Sequence, residues 1–302
     1  MNYEGRITHR FSGSFTAVAV ALLLVACQPQ ELAQPVPAYL YLQPFELRTQ
    51  EAGQGSASSK ITEGWLSVDG AFLGAYSLPA LVPVLAEGEH EISLQAGIRD
   101  NGISRTPEVY PFFTTYRTTR VLRPDIVDTL QPVTRYLDRT RFSLIDDFDR
   151  GPTVFRDIRI GTTDNALRPT EEVVFEGSAS GVIRLSAQSP VVELASEVRY
   201  SDLDAESPFV YLEVNYRSEV PVVWGLIAYR FGVPGDGTAL FEPGFRPSAE
   251  WNKIYFNLSP LIAAGNFSEY QLALRAAIPE EAGRPVVQEA SIWLDNIKLV
   301  HF

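Results

Sequence analysis

The sequence predicts an all-β protein, an N-terminal β-sandwich followed by a second β domain, and three observations carry that reading. Short runs alternate apolar with polar residues, turn dipeptides punctuate them, and helical periodicity is absent through the first of the two halves. The same repertoire then restarts at Phe142, after the polar stretch Leu137-Asp138-Arg139-Thr140-Arg141. A 45% hydrophobic share with 11% aromatics is enough to fill such cores by burial alone.

Taken in order, Tyr39-Leu40-Tyr41-Leu42 opens the first strand. Gln50 to Lys60 (QEAGQGSASSK) is rich in Gly and Ser and reads as a flexible loop. Trp65-Leu66-Ser67-Val68, Asp69-Gly70 and Phe72 to Tyr76 read as strand, tight turn and strand. Leu81 to Leu85 follows, and Glu87-Gly88-Glu89 turns the chain into His90 to Leu94, where Ile92 and Leu94 alternate with polar neighbours. Val109 to Leu122 is dense in β formers, and Ile126 to Tyr136 reads as a strand pair or one long strand. This spacing predicts a β-sandwich over 38–138.

The string WLSVDGAFLGAYSLPALVPVLAEGEHEISLQAGIRDNG resembles a PEGA-type surface-layer module in its VDG hairpin, LP step and EGEHEI run. The resemblance covers some forty residues and implies a small spacer or docking sandwich on the cell envelope. The string is also similar to envelope lipoproteins of the Bacteroidetes group.

The second half opens with Leu144-Ile145-Asp146-Asp147-Phe148-Asp149 and runs through GSASG before Val182 to Leu185. Strand signals follow at Phe209 to Tyr216, Val222 to Tyr229 and Trp251 to Leu258, then a short helix over 259–264. The closing strand holds Trp293-Leu294-Asp295-Asn296-Ile297-Lys298-Leu299. The motifs DDFD, GSASG, WNKIYFNL and WLDNIKL resemble the galactose-binding-like frame of many carbohydrate-binding modules. That resemblance implies a C-terminal β jelly roll over 142–302, in a frame that serves sugar binding, docking and purely structural roles alike.

At the other end, Arg6, His9 and Arg10 precede an apolar run from Phe15 to Val25, too short to span a bilayer. Leu24-Val25-Ala26-Cys27 resembles the lipobox of bacterial lipoproteins. The resemblance implies a signal peptide over 1–26, a lipid on the thiol of Cys27, and a membrane-bound mature chain. Residues 27–37 then form a Pro- and Gln-rich tether. Gln28 stands where some bacteria place the Asp that retains lipoproteins at the inner membrane, so the outer membrane is expected. Two or three acyl chains make such attachment effectively permanent.

Composition excludes several classes. Cys27 is the only cysteine, so disulfides, thiolate zinc sites and a cysteine nucleophile are ruled out. Only His90 and His301 lie outside the leader, which leaves a serine triad or a His-based metal cluster short of parts. The net charge of −12 argues against nucleic acid as a partner. Adjacent carboxylates such as Asp146/Asp147 and Glu280/Glu281 point to opposite faces of a strand, so no catalytic pair is expected and the chain reads as a non-enzyme.

Two candidate sites remain. The family resemblance implies that Asp147 or Asp149, with Asp295 on the last strand, holds a structural calcium; no other cofactor is expected. The Gly- and Pro-rich loop Gly232 to Arg246 offers Phe241, Phe245 and Arg246 as binding anchors. Trp224 and Trp293 lie in apolar runs and are expected in the core, with Trp251 packing at a strand edge. The reading favoured by the sequence is an envelope lipoprotein that docks partner proteins; the alternative is one that captures polysaccharide. A row of planar aromatics on a sheet face of the second domain would favour glycan, and a bare aliphatic or acidic face would favour docking.

Overall fold

The computed structural model describes residues 35–204, 207–230, 237–265 and 267–302. The leader, Cys27, most of the tether and the Gly232–Asp236 part of the expected binding loop lie outside the described residues. The protein is all-β, as expected. Its helical content among the described residues is limited to single turns at Glu51–Gln54, Thr163–Asn165 and Ser259–Ala263.

The first half contains β1 (Ala38–Leu42), β2 (Glu46–Leu47), β3 (Glu63–Val68), β4 (Ala71–Ser77), β5 (Ala80–Val84), β6 (Gly88–Arg99), β7 (Pro107–Val109), β8 (Tyr116–Leu122), β9 (Val127–Leu130) and β10 (Val133–Thr134). The β3–β4 turn has positive φ at Asp69 (50°) and Gly70 (78°), the pair of left-handed residues that matches hairpin twist. The twelve-residue β6 is the spine of a five-stranded sheet, pairing with β3 on one side and with β7 and β8 on the other. A three-stranded sheet, β5-β1-β9, packs across from it. Period-two alternation turns Leu40, Leu42, Val82 and Val84 inward to meet Leu66, Ile92 and Leu94.

The second half contains β11 (Arg141–Asp146), β12 (Asp157–Ile160), β13 (Arg168–Thr170), β14 (Ser180–Ser186), β15 (Val191–Ala195), β16 (Val210–Ser218), β17 (Val222–Tyr229), β18 (Thr238–Phe245), β19 (Ser248–Asn257), β20 (Glu269–Ala277), β21 (Glu280–Glu281), β22 (Arg284–Pro285) and β23 (Glu289–His301). A six-stranded antiparallel sheet runs β13-β14-β23-β16-β19, with β11 also on β23. A five-stranded sheet, β12-β15-β20-β17-β18, faces it. Between them lie Leu212, Val214, Phe256, Ile292 and Leu299 of the first sheet and Trp224, Leu226, Leu272 and Leu274 of the second.

The long strand β23 carries a bulge. Its register on β16 shifts between the pairs Glu213↔Lys298 and Asn215↔Asp295, and Asn296 takes φ +46° there. Asparagine tolerates this left-handed geometry better than most residues. The extra residue keeps Ile292, Leu294, Ile297 and Leu299 all in the core, so Trp293, Asp295 and Lys298 share the outer face.

Much of that outer face is covered by the first half. Tyr211, Tyr255, Val300 and Phe302 belong to the first half's core, where Tyr110 meets Tyr211 at 5.3 Å and Phe112 meets Phe302 at 4.7 Å between ring centroids. The segment read as a flexible loop corrects that expectation. Ser56 O accepts from Lys298 Nζ at 2.6 Å, Ser58 Oγ accepts from Asn215 Nδ2 at 2.9 Å, and Lys60 N donates to the Tyr255 hydroxyl at 2.9 Å. Gly55, at φ +65°, lies so close to Ile145 and Lys298 that a Cβ would come within 3.1 and 3.2 Å of them. Small residues here serve close approach between the halves.

Candidate ligand-binding face and cleft

The junction is fixed by buried charge. Glu213 is fully buried, and its Oε1 accepts from the hydroxyls of Tyr110 (2.8 Å) and Tyr136 (2.7 Å) while Oε2 lies 3.0 Å from Lys253 Nζ. Burial works to raise the Glu213 carboxyl, but the Lys253 and Lys298 charges and the hydroxyl donors outweigh it and hold it below its ordinary value. Burial in turn pushes the fully enclosed Lys298 down to about 8, against the opposing pull of Glu213.

Beyond Asn215 the outer face of the six-stranded sheet emerges from under the first half. Here Trp293 on β23 pairs in register with Arg217 on β16, and the guanidinium lies 5.0 Å from the ring centroid. Trp251, the outward residue on neighbouring β19, contacts Phe175 at 5.3 Å between centroids. Phe175 is 36% exposed, and Arg217, Trp251 and Trp293 are half-buried. Trp293 is therefore not a core residue. The signal was the alternation Ile292-Trp293-Leu294, which turns the indole outward once its neighbours are inward. Trp224 is in the core, edge-on to Phe155.

The expected anchors separate. Thr238 to Phe245 is not a loop but strand β18, paired along β17. Phe245 is buried and stacks on Tyr216 at 3.8 Å, and both residues contribute to the wall of the cleft that Arg246 lines. Phe241 is half-buried on the outer face of the five-stranded sheet, against a small apolar cluster of Ala195, Ile227, Tyr229 and Ala273. Tyr229 in that cluster lies beneath the Arg199 guanidinium at 3.7 Å.

Arg246, with Phe245, lines a cleft of about 410 Å³ between the halves, away from Phe241. Lys60, Asn101 and Ile103 come from the first half, and Tyr216, Arg246, Asn252 and Lys253 from the second. Three cations thus meet in a cleft with no acidic residue among its described lining, within an acidic chain. Lys253 is neutralised by Glu213, whereas Lys60 Nζ donates to the amide oxygen of Asn252 at 2.6 Å. Burial and the nearby Arg99 charge push the Lys60 ammonium below the ordinary lysine value.

The three calcium candidates, Asp147, Asp149 and Asp295, do reach one pocket of about 100 Å³, joined there by Glu176. Their oxygens are directed at hydrogen-bond donors. Asp149 Oδ1 accepts from Ser178 N, Ser178 Oγ and Ala179 N at 2.7–2.9 Å. Burial works to raise this carboxyl, and the Ser178 and Ala179 donors outweigh it and hold it down. Asp295 Oδ2 accepts from Ser180 Oγ at 2.6 Å, Asp295 Oδ1 accepts from Asn296 N at 2.7 Å, and Arg150 Nε lies 3.5 Å from Asp147. Burial raises Asp295 to about 6. Among the described residues no three such side chains are gathered closely enough to hold a metal, and this donor-rich set does not fit a calcium cage. It is a clamp on the strand-entry turn GSASG: a Cβ at Gly177 would stand 2.0 Å from Asp149 Oδ2.

No protein-family model matches the chain, and no curated protein does. Among solved structures it is similar to the family 30 carbohydrate-binding module of a cellulosomal cellulase of Clostridium thermocellum, at 14% identity and a TM-score of 0.40, over 53% of this chain and 96% of that one. It is also similar to the CBM22-1 xylan-binding domain from Paenibacillus barcinonensis, at 13% identity and a TM-score of 0.33, over 53% and 93% of the two chains.

Proposed function

We propose that this chain is a non-catalytic, glycan-binding lipoprotein of the cell envelope, held at the outer membrane by lipid on Cys27. The observation that carries the reading is the open part of the six-stranded sheet, where Trp293, Arg217, Trp251 and Phe175 lie on one side of the protein. Sugar rings stack their C–H faces on indole and phenyl planes, and a guanidinium beside them donates to hydroxyl or carboxylate oxygens. The rigid sheet fixes the spacing of the rings, and the docked first half closes one end of the platform at Asn215 and Ser58.

The docking reading keeps one observation of its own. The outer face of the five-stranded sheet holds an apolar cluster with one half-buried ring, Phe241, rather than a row of aromatics. A single experiment separates the two readings. The mature chain is titrated with a panel of soluble polysaccharides, and in parallel cross-linked in native membranes. Glycan binding that weakens about tenfold, or about 1.4 kcal/mol, in each of Trp293→Ala and Trp251→Ala supports the platform. No retained glycan, with a protein partner that is lost on Phe241→Ala, supports docking instead.

A further inference from the structure

The three-stranded sheet of the first half has an outer face that nothing among the described residues covers. Its cross-strand rows are Leu81–Tyr41–Thr129 and Pro83–Tyr39–Val127. Alternation places all six on the side away from the core, since Leu40, Leu42, Val82 and Val84 point inward. None of the six is charged. Leu81 is 56% exposed and Val127 54%, and Leu85 just beyond β5 reaches 69%. Exposed apolar residues scattered singly need no explanation, but a contiguous set across three strands marks an interaction surface.

The position of the face in the chain identifies its occupant. The central strand β1 is the first element after the tether, and Val36, 56% exposed, leads straight into it. Val36 stands only nine positions after Cys27, a reach of at most about 30 Å even when fully extended. A lipid on Cys27 therefore keeps the start of β1, and the sheet centred on that strand, close to the bilayer. Tyrosines flanked by aliphatic side chains suit the headgroup boundary, where the ring is buried and the hydroxyl stays wet. We propose that this face, centred on Tyr39, Tyr41, Leu81 and Val127, rests on the lipid surface and sets the orientation of the whole protein. The inference builds on the lipid anchor and is independent of the glycan reading.

Because Cys27 is the sole cysteine, one introduced thiol gives a unique label on the acylated protein. Leu85→Cys on the face and Arg284→Cys on the second half would each carry an environment-sensitive dye. The full lipoprotein is reconstituted into phosphatidylethanolamine/phosphatidylglycerol vesicles containing chain-brominated lipid. Several-fold stronger quenching at position 85 than at 284 is expected, and Leu81→Glu with Val127→Glu should reduce it. A vesicle-bound, acylated protein whose position 85 is unquenched overturns the proposal, including the case where a second copy shields the label. Mass of the N-terminus reports the anchor separately. Should the chain prove unacylated, flotation of that chain with the same vesicles, lost on Leu81→Glu with Val127→Glu, would still support the face; no flotation would overturn it.

Discussion

The phenol of Tyr110 donates a 2.8 Å hydrogen bond to Glu213 across 103 positions of sequence and across the junction of the two halves. Tyr136 adds a second such bond, and Lys253 closes the site with an ion pair whose two side chains are 3% and 0% exposed. A buried pair of this kind adds little over an apolar contact, but removing one member leaves the other stranded. Tyr110→Phe should therefore cost about 1–3 kcal/mol. Glu213→Ala, which strands two lysines, should cost about 3–5 kcal/mol. Urea denaturation measures both, and wild-type midpoints for the two variants would contradict the network.

The same junction bears on the second half alone. A fragment of residues 142–302 retains its inter-sheet core but exposes Tyr211, Tyr255, Val300 and Phe302, together with Glu213 and its lysines. It should fold, with β-type circular dichroism and a cooperative melt, at a lower midpoint than the whole chain. Adding the first half in trans should raise that midpoint. A featureless fragment would mean that neither core stands without the other.

Lys298 gives the junction a pH dependence. Its folded value is depressed to about 8 from an ordinary 10.5, so between those limits the unfolded chain binds more protons than the folded one. Stability should rise with pH from about 8 toward 10, and the burial penalty should be complete below 8. Above 10 the trend should reverse, because Tyr110, Tyr136 and Tyr255 all titrate well above their ordinary value when folded. Denaturation series at stepped pH should show the rise in the wild type and a smaller rise in Lys298→Met, where Lys60, also held below its ordinary value, still contributes.

How much of this could be read from the chain depends on the element. The Asp69-Gly70 hairpin was legible because turn chemistry is local. The platform was not. Trp293 lies in an apolar run that reads as core, and only the register of β23 against β14 and β16 turns it outward. The bulge at Asn296 hid Lys298 in the same way, since simple alternation from Asp295 would send it to the opposite face. The Gly- and Ser-rich 50–60 segment misled for a different reason. Small residues signal flexibility in isolation, yet here they allow a close inter-domain approach that composition cannot show.

Phe245 is the sharpest test of the corrected anchor set. Its ring stacks on Tyr216 and faces Phe256 inside the sandwich, so Phe245→Ala should behave as a cavity mutation costing about 3–5 kcal/mol. Phe241→Ala, on the outer face, should change stability far less. Thermal and urea melts of the two variants should separate clearly. Equal, small effects would restore Phe245 to the surface.

The last expectation concerns the charge of the glycan. Trp251 and Asn252 are neighbours on β19, one on the platform and the other lining the cleft, so a bound chain can pass from rings to cations around this edge. The overall charge of −12 disfavours acidic polysaccharide at long range, but that repulsion is screened over about 10 Å at 0.1 M salt. At contact, the local cations decide. Lys60 and Arg246 face the cleft with no carboxylate among its described lining residues. Uronate-containing polysaccharide should therefore bind about tenfold tighter than its neutral counterpart in dilute buffer, a difference of about 1.4 kcal/mol. Raising the salt should erode that preference, and Lys60→Ala with Arg246→Ala should abolish it while leaving neutral glycan bound. Isothermal titration of the paired ligands measures all three effects. Loss of neutral binding in the double variant would instead make the cleft the primary site and the aromatic platform an accessory to it.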